Sequence, residues 1–326
     1  MLSRLPAILE KLSLSSLDGF LVSKETNVSY LCGYTIRDSY LLVTRQEACV
    51  ITDFRYTQEA RDNIKAVKVF QYKNLFKDIA RLAKKFKARR LGFEAMDLNF
   101  AEYTKIKEYL GPKIKLVATC NMVETMRQIK TPEELTSLRE AIRITASAFT
   151  FLKKYIRLGE SELGIAAEFE CFIRRQGAKM SAFNIIAASG PNSSFPHAGI
   201  SDRKFLPGDS LLVDIGVEVN GYKSDLTRVF FLDKISSIQR KIYTIIQGAQ
   251  HKAIEAVKPE VALCKIDFSA RSYIAKYGYA EFFGHSLGHG VGLEVHEEPS
   301  VSAHNKSLAQ EGMVFTIEPG IYLPGK

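Results

Sequence analysis

The sequence predicts two domains of different character, an α/β domain over residues 1–123 and an α+β domain over residues 124–326. The first half alternates apolar runs of strand length with segments of helical period, as α/β domains do. After residue 180 the sequence turns to strands and glycine-rich turns. Between the halves, Thr131-Pro132-Glu133-Glu134 has the capping hydroxyl, early proline and acids that begin a helix.

The individual elements follow from the spacing of apolar residues. Helical spacing predicts helices over residues 5–12, 76–86 and 103–109, and in the second half from Pro132 to Phe149 and from Ser161 to Ile173. Strand-length runs predict strands over residues 19–22, 40–43, 48–52, 90–93 and 114–118.

Composition excludes several classes of protein. The chain has 326 residues, 46% hydrophobic and 25% charged, with no apolar run long enough for a bilayer and a poor signal peptide. Its five cysteines are scattered, which predicts reduced, mostly buried thiols and a cytoplasmic protein. The net charge of +9 includes one dense basic run, residues 84–90, which we interpret as a solvated helix end. We therefore expect neither a nucleic-acid nor a membrane partner.

A hairpin carries the first candidate site. Asn220-Gly221 between two apolar runs predicts a type I′ turn, and the register then pairs Asp214 with Thr227 and Asp225 with Gly216. The two aspartates would project from one face as diagonal neighbours, about 7–8 Å apart. Carboxylates at that separation can share two metal ions.

The alternative is that both acids lie on a solvated strand face. Apolar residues on both faces of the hairpin favour burial instead. Buried carboxylates of like charge need a cation or a proton between them.

A glycine-rich stretch, residues 284–292, carries His285 and His289 and continues to His296. The four glycines make a regular helix improbable and let the backbone approach a ligand closely. Imidazoles beside carboxylates suit Zn, Mn, Fe or Co, although a structural role for these histidines stays open.

Two further segments are uninformative when taken alone. Glu318 ends a predicted apolar strand before Pro319-Gly320, and His197 lies in a loop after Pro196.

The order of these motifs resembles the pita-bread metallopeptidases, which include Xaa-Pro dipeptidases, aminopeptidase P and methionine aminopeptidases. The motifs are Pro196-His197, the Asp214 and Asp225 pair, His285-x-x-x-His289, Val295-His296-Glu297 and Glu318-Pro319-Gly320. The first half is similar to the α/β domain of creatinase and of the proline-directed members, in Asn27-Val28-Ser29-Tyr30-Leu31 and Thr52-Asp53. The resemblance implies a creatinase-like domain before a pita-bread catalytic domain, with a curved antiparallel sheet and the site on its concave face.

The resemblance also implies roles for single residues. Asp214 would bind one metal, Asp225 would bridge two, and His289 and Glu318 would bind the other. Glu318 would also shuttle a proton. His197, His285 and His296 would surround the substrate.

The implied enzyme removes an N-terminal residue that precedes proline, with water activated by two divalent ions, Mn most plausibly and Co, Zn or Fe as alternatives. Its partners would be peptides with proline at the second position and a second copy of the chain in a homodimer. Aminopeptidase and dipeptidase action both stay open.

The family pattern has a further glutamate, bridging both metals, on a strand beyond Glu318-Pro319-Gly320. The sequence stops at Lys326 without it. We therefore expect the C-terminal strand to be missing, at least one metal to bind more weakly, and this chain to lose activity.

Three other identities compete with this one. A methionine aminopeptidase usually lacks a domain like residues 1–123, and creatine amidinohydrolase lacks the metal site. A non-catalytic peptide-binding relative is the remaining alternative, and metal-dependent hydrolysis would distinguish it.

Overall fold

The computed structural model describes residues 4–323, and the chain divides into two compact units, Met1–Arg127 and Gln128–Lys326. The first unit is an α/β fold, as predicted. Its elements are α1 Leu5–Leu14, β1 Gly19–Val22, α2 Glu25–Cys32, β2 Ser39–Thr44, β3 Ala48–Thr52, α3 Phe54–Asn63, β4 Lys68–Gln71, α4 Leu75–Lys85, β5 Arg90–Glu94, α5 Phe100–Leu110, β6 Lys115–Thr119 and α6 Glu124–Arg127.

The sheet of this unit has the order β4-β3-β2-β1-β5-β6 and mixes both directions. Strands β1, β2 and β3 run antiparallel, whereas β4, β5 and β6 join by parallel pairing. The sequence did not predict α2, α3 or β4. Helix α3 is largely polar and begins at a cap, because the Asp53 side chain accepts from the Arg55 N–H.

The second unit combines helices with short antiparallel sheets. Its elements are α7 Pro132–Leu152, α8 Glu162–Arg175, β7 Met180–Ser181, β8 Ile186–Ser189, β9 Ser210–Ile215, β10 Val217–Val219, β11 Tyr222–Lys223, β12 Leu226–Phe231, α9 Ser237–Ala256, α10 Leu263–Lys276, β13 Gly288–Gly290 and β14 Glu297–Val301, with 3-10 turns at Gly190–Ser194 and Ala280–Phe282. The sheets have the orders β12-β9-β8, β11-β10-β7 and β13-β14.

The prediction that strands and turns fill the chain after residue 180 was incomplete, since α9 and α10 lie there. Helix α9 begins at a capping box, in which Ser236 and Gln239 satisfy each other's backbone N–H groups. Both helices bury a face of mostly small and branched residues, and neither helix was predicted from the sequence.

Two apolar cores support this unit. In one, helices α7 and α8 pack on β9, with Phe169 and Val213 fully buried. In the other, helices α9 and α10 bury Ile266 and Ala270 beside Leu287, which precedes β13. The hairpin and the histidine segment are thus each supported by a pair of helices.

The hairpin has the predicted register. Val219 pairs with Tyr222 and Asp214 with Thr227. Asn220 and Gly221 have φ values of 51° and 84°, as a type I′ turn requires.

No helix in the described part of the chain is long and apolar enough to cross a membrane. All five cysteines are free, as predicted. The expectation that most would be buried was wrong, because only Cys32 and Cys49 are buried, whereas Cys264 is half-buried and Cys120 and Cys171 are exposed.

Gly216 separates β9 from β10 and gives a test of the hairpin. A Cβ there would lie 1.9 Å from the carbonyl oxygen of Ser224. We expect Gly216→Ala to lower the free energy of unfolding by about 1–3 kcal/mol, as overpacking does. Urea denaturation measures this, with Gly199→Ala as control because a Cβ there meets nothing within 4 Å. Equal midpoints for both variants would contradict the packing.

Candidate metal centre

The two aspartates of the hairpin lie on the strands that the turn aligns. Asp214 is in β9, and Asp225 precedes β12 directly. The Thr227 hydroxyl donates to Asp214 Oδ1 at 2.8 Å, so the cross-strand partner orients this carboxylate. Burial, and then the charge of Asp225, raise the pKa of Asp214 to about 7. The carboxylates of Asp214 and Asp225 therefore repel each other in a site where solvent screens charges poorly.

His289 reaches the aspartates from β13. Its Nε2 lies 3.4 Å from Asp225 Oδ2 and 3.0 Å from Glu318 Oε1. Its Nδ1 lies 3.0 Å from the Gly290 carbonyl oxygen, a contact that fixes the ring and directs Nε2 at the carboxylates.

Glycines on both sides of His289 allow this approach. A Cβ on Gly288 would lie 2.0 Å from the Thr316 carbonyl oxygen, and one on Gly290 would lie 2.3 Å from that of Glu298. Neighbouring backbones therefore press against β13 on both sides, and only glycine fits at these two positions.

Glu318 follows an extended segment rather than the strand that was predicted. Its residues are not part of a regular strand, although the N–H groups of Thr316 and Glu318 donate to the carbonyls of His289 and Leu287, both at 2.8 Å. The Thr316 side chain interrupts the ladder by accepting the His289 N–H at 3.0 Å. The same hydroxyl donates to Glu318 Oε1 at 2.7 Å.

Contacts between His289 and the carboxylates shift the pKa values of His289 and Glu318 in opposite directions. Burial acts to lower the pKa of His289, but its contacts with Asp225 and Glu318 outweigh burial and raise that pKa to about 10. Burial acts to raise the pKa of Glu318, but His289 and Thr316 outweigh it and lower that pKa. A protonated His289 thus supplies the positive charge between the carboxylates.

These residues suit a divalent cation. Carboxylate oxygens and one imidazole nitrogen are its usual donors, and a cation would relieve the repulsion that raises the pKa of Asp214. Within residues 4–323, no group of three or more His, Cys, Asp or Glu side chains is arranged so that it could hold a metal ion as it stands. Their donor atoms are instead engaged with one another and with Thr227 and Thr316.

The other predicted histidines differ in their distance from this centre. The His296 ring packs edge to face with the His289 ring, centroids 4.3 Å apart. Burial and the charge of His289 lower the pKa of His296, and His197 adds to that effect from its exposed loop. His285 lies against Tyr322, with ring centroids 5.7 Å apart. Its Nε2 is buried and has no hydrogen-bond partner among the described residues.

Thr227 and Thr316 contribute to the site without having been predicted from sequence. Thr227 could have been found, because the predicted register already placed it opposite Asp214. Nothing in the sequence indicates that the Thr316 hydroxyl bonds the His289 backbone.

Fold and site together define a two-domain metallopeptidase. Two family models match the sequence, the Creatinase/Prolidase N-terminal domain over residues 4–129 and Metallopeptidase family M24 over residues 136–326. The chain therefore belongs to metallopeptidase family M24, a family of peptidases that use divalent metal ions.

Individual proteins of this family are similar to the chain over nearly its whole length. The chain is 35% identical over 330 residues to the Xaa-Pro dipeptidase of Pyrococcus furiosus, covering 99% of this chain and 92% of that protein. It resembles the solved Xaa-Pro dipeptidase from Bacillus anthracis, with a TM-score of 0.95, 34% identity, and 99% and 90% of the two chains covered. The X-Pro aminopeptidase from Thermotoga maritima gives a TM-score of 0.89 and 33% identity over 99% and 92%.

The raised pKa values predict how the metal-free protein responds to pH. Asp214 binds its proton more tightly when folded, so it contributes stability below about pH 4 that is lost as pH rises through 7. His289 acts in the same direction between its ordinary pKa and about 10. We expect the melting temperature of metal-free protein to fall between pH 4 and 7 by several degrees more in wild type than in Asp214→Asn. Parallel curves for the two proteins would contradict the raised pKa of Asp214.

Proposed function

We propose that this chain hydrolyses the peptide bond between an N-terminal residue and proline. The observation that carries the proposal is the convergence of Asp214, Asp225, His289 and Glu318, through contacts of 3.0–3.4 Å around His289 Nε2 and the electrostatic coupling of Asp214 to Asp225. The family and its Xaa-Pro relatives support the same conclusion.

Four residues of the chain are proposed to bind the metal ions. Asp214 would hold one divalent ion, Asp225 would contact two, and His289 and Glu318 would hold the second. When bound, such ions lower the pKa of a coordinated water and polarise a carbonyl oxygen. His289 offers Nε2 because its Nδ1 faces the Gly290 carbonyl.

Glu318 accepts the proton of the attacking water and returns it to the leaving nitrogen. The Thr316 hydroxyl orients the Glu318 carboxylate for this exchange. The leaving nitrogen needs this proton because an unprotonated amide nitrogen is a very poor leaving group, and in an Xaa-Pro bond it is the proline nitrogen of a tertiary amide.

The histidines outside the metal set hold the substrate. His296 lies against the His289 ring and keeps a lowered pKa, which favours its neutral form. His285 has a buried Nε2 that bonds none of the described residues and could take a substrate group, and His197 lies in an exposed loop. We extend the proposal to Mn²⁺ as the metal and a homodimer as the assembly. Five free cysteines support a reducing cytoplasm.

Dipeptides and longer peptides are both possible substrates, because relatives named for each activity resemble this chain similarly. A methionine aminopeptidase-like activity and a non-catalytic peptide-binding role are the competing functions. Substrate choice and metal dependence distinguish all of them.

The activity test uses a proline dipeptide, a tripeptide with proline second, and a methionyl-alanyl peptide. They are assayed with Mn²⁺ or with EDTA, on the 326-residue chain and on a version with any natural C-terminal continuation. We expect cleavage of a proline peptide in at least one of the two versions, and we expect that cleavage to require Mn²⁺ and to stop with EDTA. Cleavage of the methionyl peptide alone, or of none in either version, would contradict the proposal.

The ligand roles predict two paired substitutions. Glu318→Gln should lower kcat by about 10²–10⁴-fold, because it removes a proton acceptor. The exposed Glu311→Gln should leave kcat unchanged.

His289→Ala should lower Mn²⁺ content per chain, measured by atomic emission, since it removes the imidazole donor. His304→Ala, which changes an exposed histidine, should keep it. Full metal content in His289→Ala would contradict the assignment.

A further inference from the structure

An ion pair on α10, of which the carboxylate is buried, holds the segment that carries His285. Asp267 is fully buried, and Arg271, one helical turn later, donates to both of its oxygens at 2.8 and 2.9 Å. A carboxylate removed from water needs such a partner. This pair does more than neutralise a charge, because both residues also reach across to the loop before β13.

The ion pair contacts the backbone at every second residue of that loop, Phe283, His285 and Leu287. Arg271 donates to the carbonyl oxygens of Phe283 and His285, both at 3.0 Å. Asp267 Oδ1 accepts the Leu287 N–H at 3.2 Å. The His285 backbone is therefore held on both sides by one guanidinium and one carboxylate.

The same arginine also fixes the surroundings of the His285 ring. Its guanidinium lies 4.2 Å from the centre of the Phe283 ring. That ring packs edge to face with the His285 ring, centroids 5.0 Å apart. On its other side the His285 ring meets Tyr322.

The imidazole held in this way has one unused nitrogen. His285 Nδ1 lies 2.7 Å from the Ser286 carbonyl oxygen, whereas Nε2 is buried without a partner among residues 4–323. A buried polar atom without a partner calls for an explanation, and a ligand group is one at a functional site. The described residues fix this ring and leave Nε2 without a hydrogen-bond partner, so a ligand group can take that place.

We propose that Asp267 and Arg271 are positioning residues that fix His285 for a polar group of the peptide substrate. The inference rests on the proposed function. Arg271 is suited to the task because its planar fork bonds the carboxylate and two carbonyls at once, which a lysine ammonium cannot do in the same geometry. The pair acts through His285 and touches none of the four proposed metal ligands.

The first test needs no activity. Hydrogen–deuterium exchange of a peptide spanning residues 283–289 should be faster in Arg271→Gln and Arg271→Lys than in wild type. Arg143→Gln serves as the matched control, because Arg143 also makes a two-pronged contact with a helix carboxylate, Glu140, but on an exposed surface. Unchanged exchange in both Arg271 variants would overturn the proposal, whatever the enzyme does.

The second test is a double-mutant cycle with His285→Ala. We expect Arg271→Gln to lower kcat/KM for the proline peptide by about 10–100-fold, the usual cost of misplacing a substrate contact. In the His285→Ala background the same change should cost less than about 3-fold, because its route of action is gone. Mn²⁺ content should stay at the wild-type level.

Arg271→Lys keeps a charge beside Asp267 and guards against failure to fold. It should fold, show an intermediate loss, and couple to His285→Ala in the same way. Equal losses in both backgrounds, or loss of Mn²⁺, would overturn the proposal and leave the pair a purely structural one. Absence of activity in wild type would contradict the proposed function separately, with the exchange result still deciding the positioning of this segment.

Discussion

Two aspartates held on one face of a buried hairpin repel each other, and the rest of the site is arranged around that repulsion. The register that pairs Asp214 with Thr227 also brings Asp225 into range, so the turn fixes their separation. Burial and then the charge of Asp225 raise the pKa of Asp214, and contacts with Asp225 and Glu318 raise the pKa of His289, which favours its protonated form beside the carboxylates. A divalent cation would relieve the repulsion more completely, because it brings two charges to the same place.

The other two donors depend on close backbone packing. Gly288 and Gly290 let neighbouring segments press against β13, and this contact brings Glu318 next to His289. Thr316 links the two, since its hydroxyl contacts the His289 backbone and the Glu318 carboxylate. The geometry of these donors is therefore set by backbone segments that pack closely at Gly288 and Gly290, rather than by long flexible side chains. Such preorganisation keeps ligands in place before a metal arrives.

Much of this arrangement could be predicted from local chemistry. The Asn220-Gly221 turn determines the register by itself, and a capping hydroxyl followed by proline marks the start of α7. The order of the histidines, aspartates and Glu318 resembles one family closely enough to assign the fold. The turn, the helix cap and each of the short family motifs lie within a few residues along the chain.

What could not be predicted depends on contacts between distant segments. Helices α9 and α10 were not predicted, and nothing local in the sequence indicates that Arg271 bonds the backbone of His285. The segment before Glu318 has strand-like residues, but a threonine side chain takes the place of a ladder bond. Helix α3 is held by a cap and a few buried residues rather than by an apolar stripe. Tertiary packing outweighs local preference in each case.

Anomalous X-ray scattering from crystals soaked in Mn²⁺ tests directly whether Asp214, Asp225, His289 and Glu318 form a metal centre. We expect one ion bound by His289 and Glu318 and a second bound by Asp214. Asp225 should contact both, with the ions roughly 3.5–4 Å apart. Anomalous peaks only at surface carboxylates, with none among these four residues, would contradict this assignment.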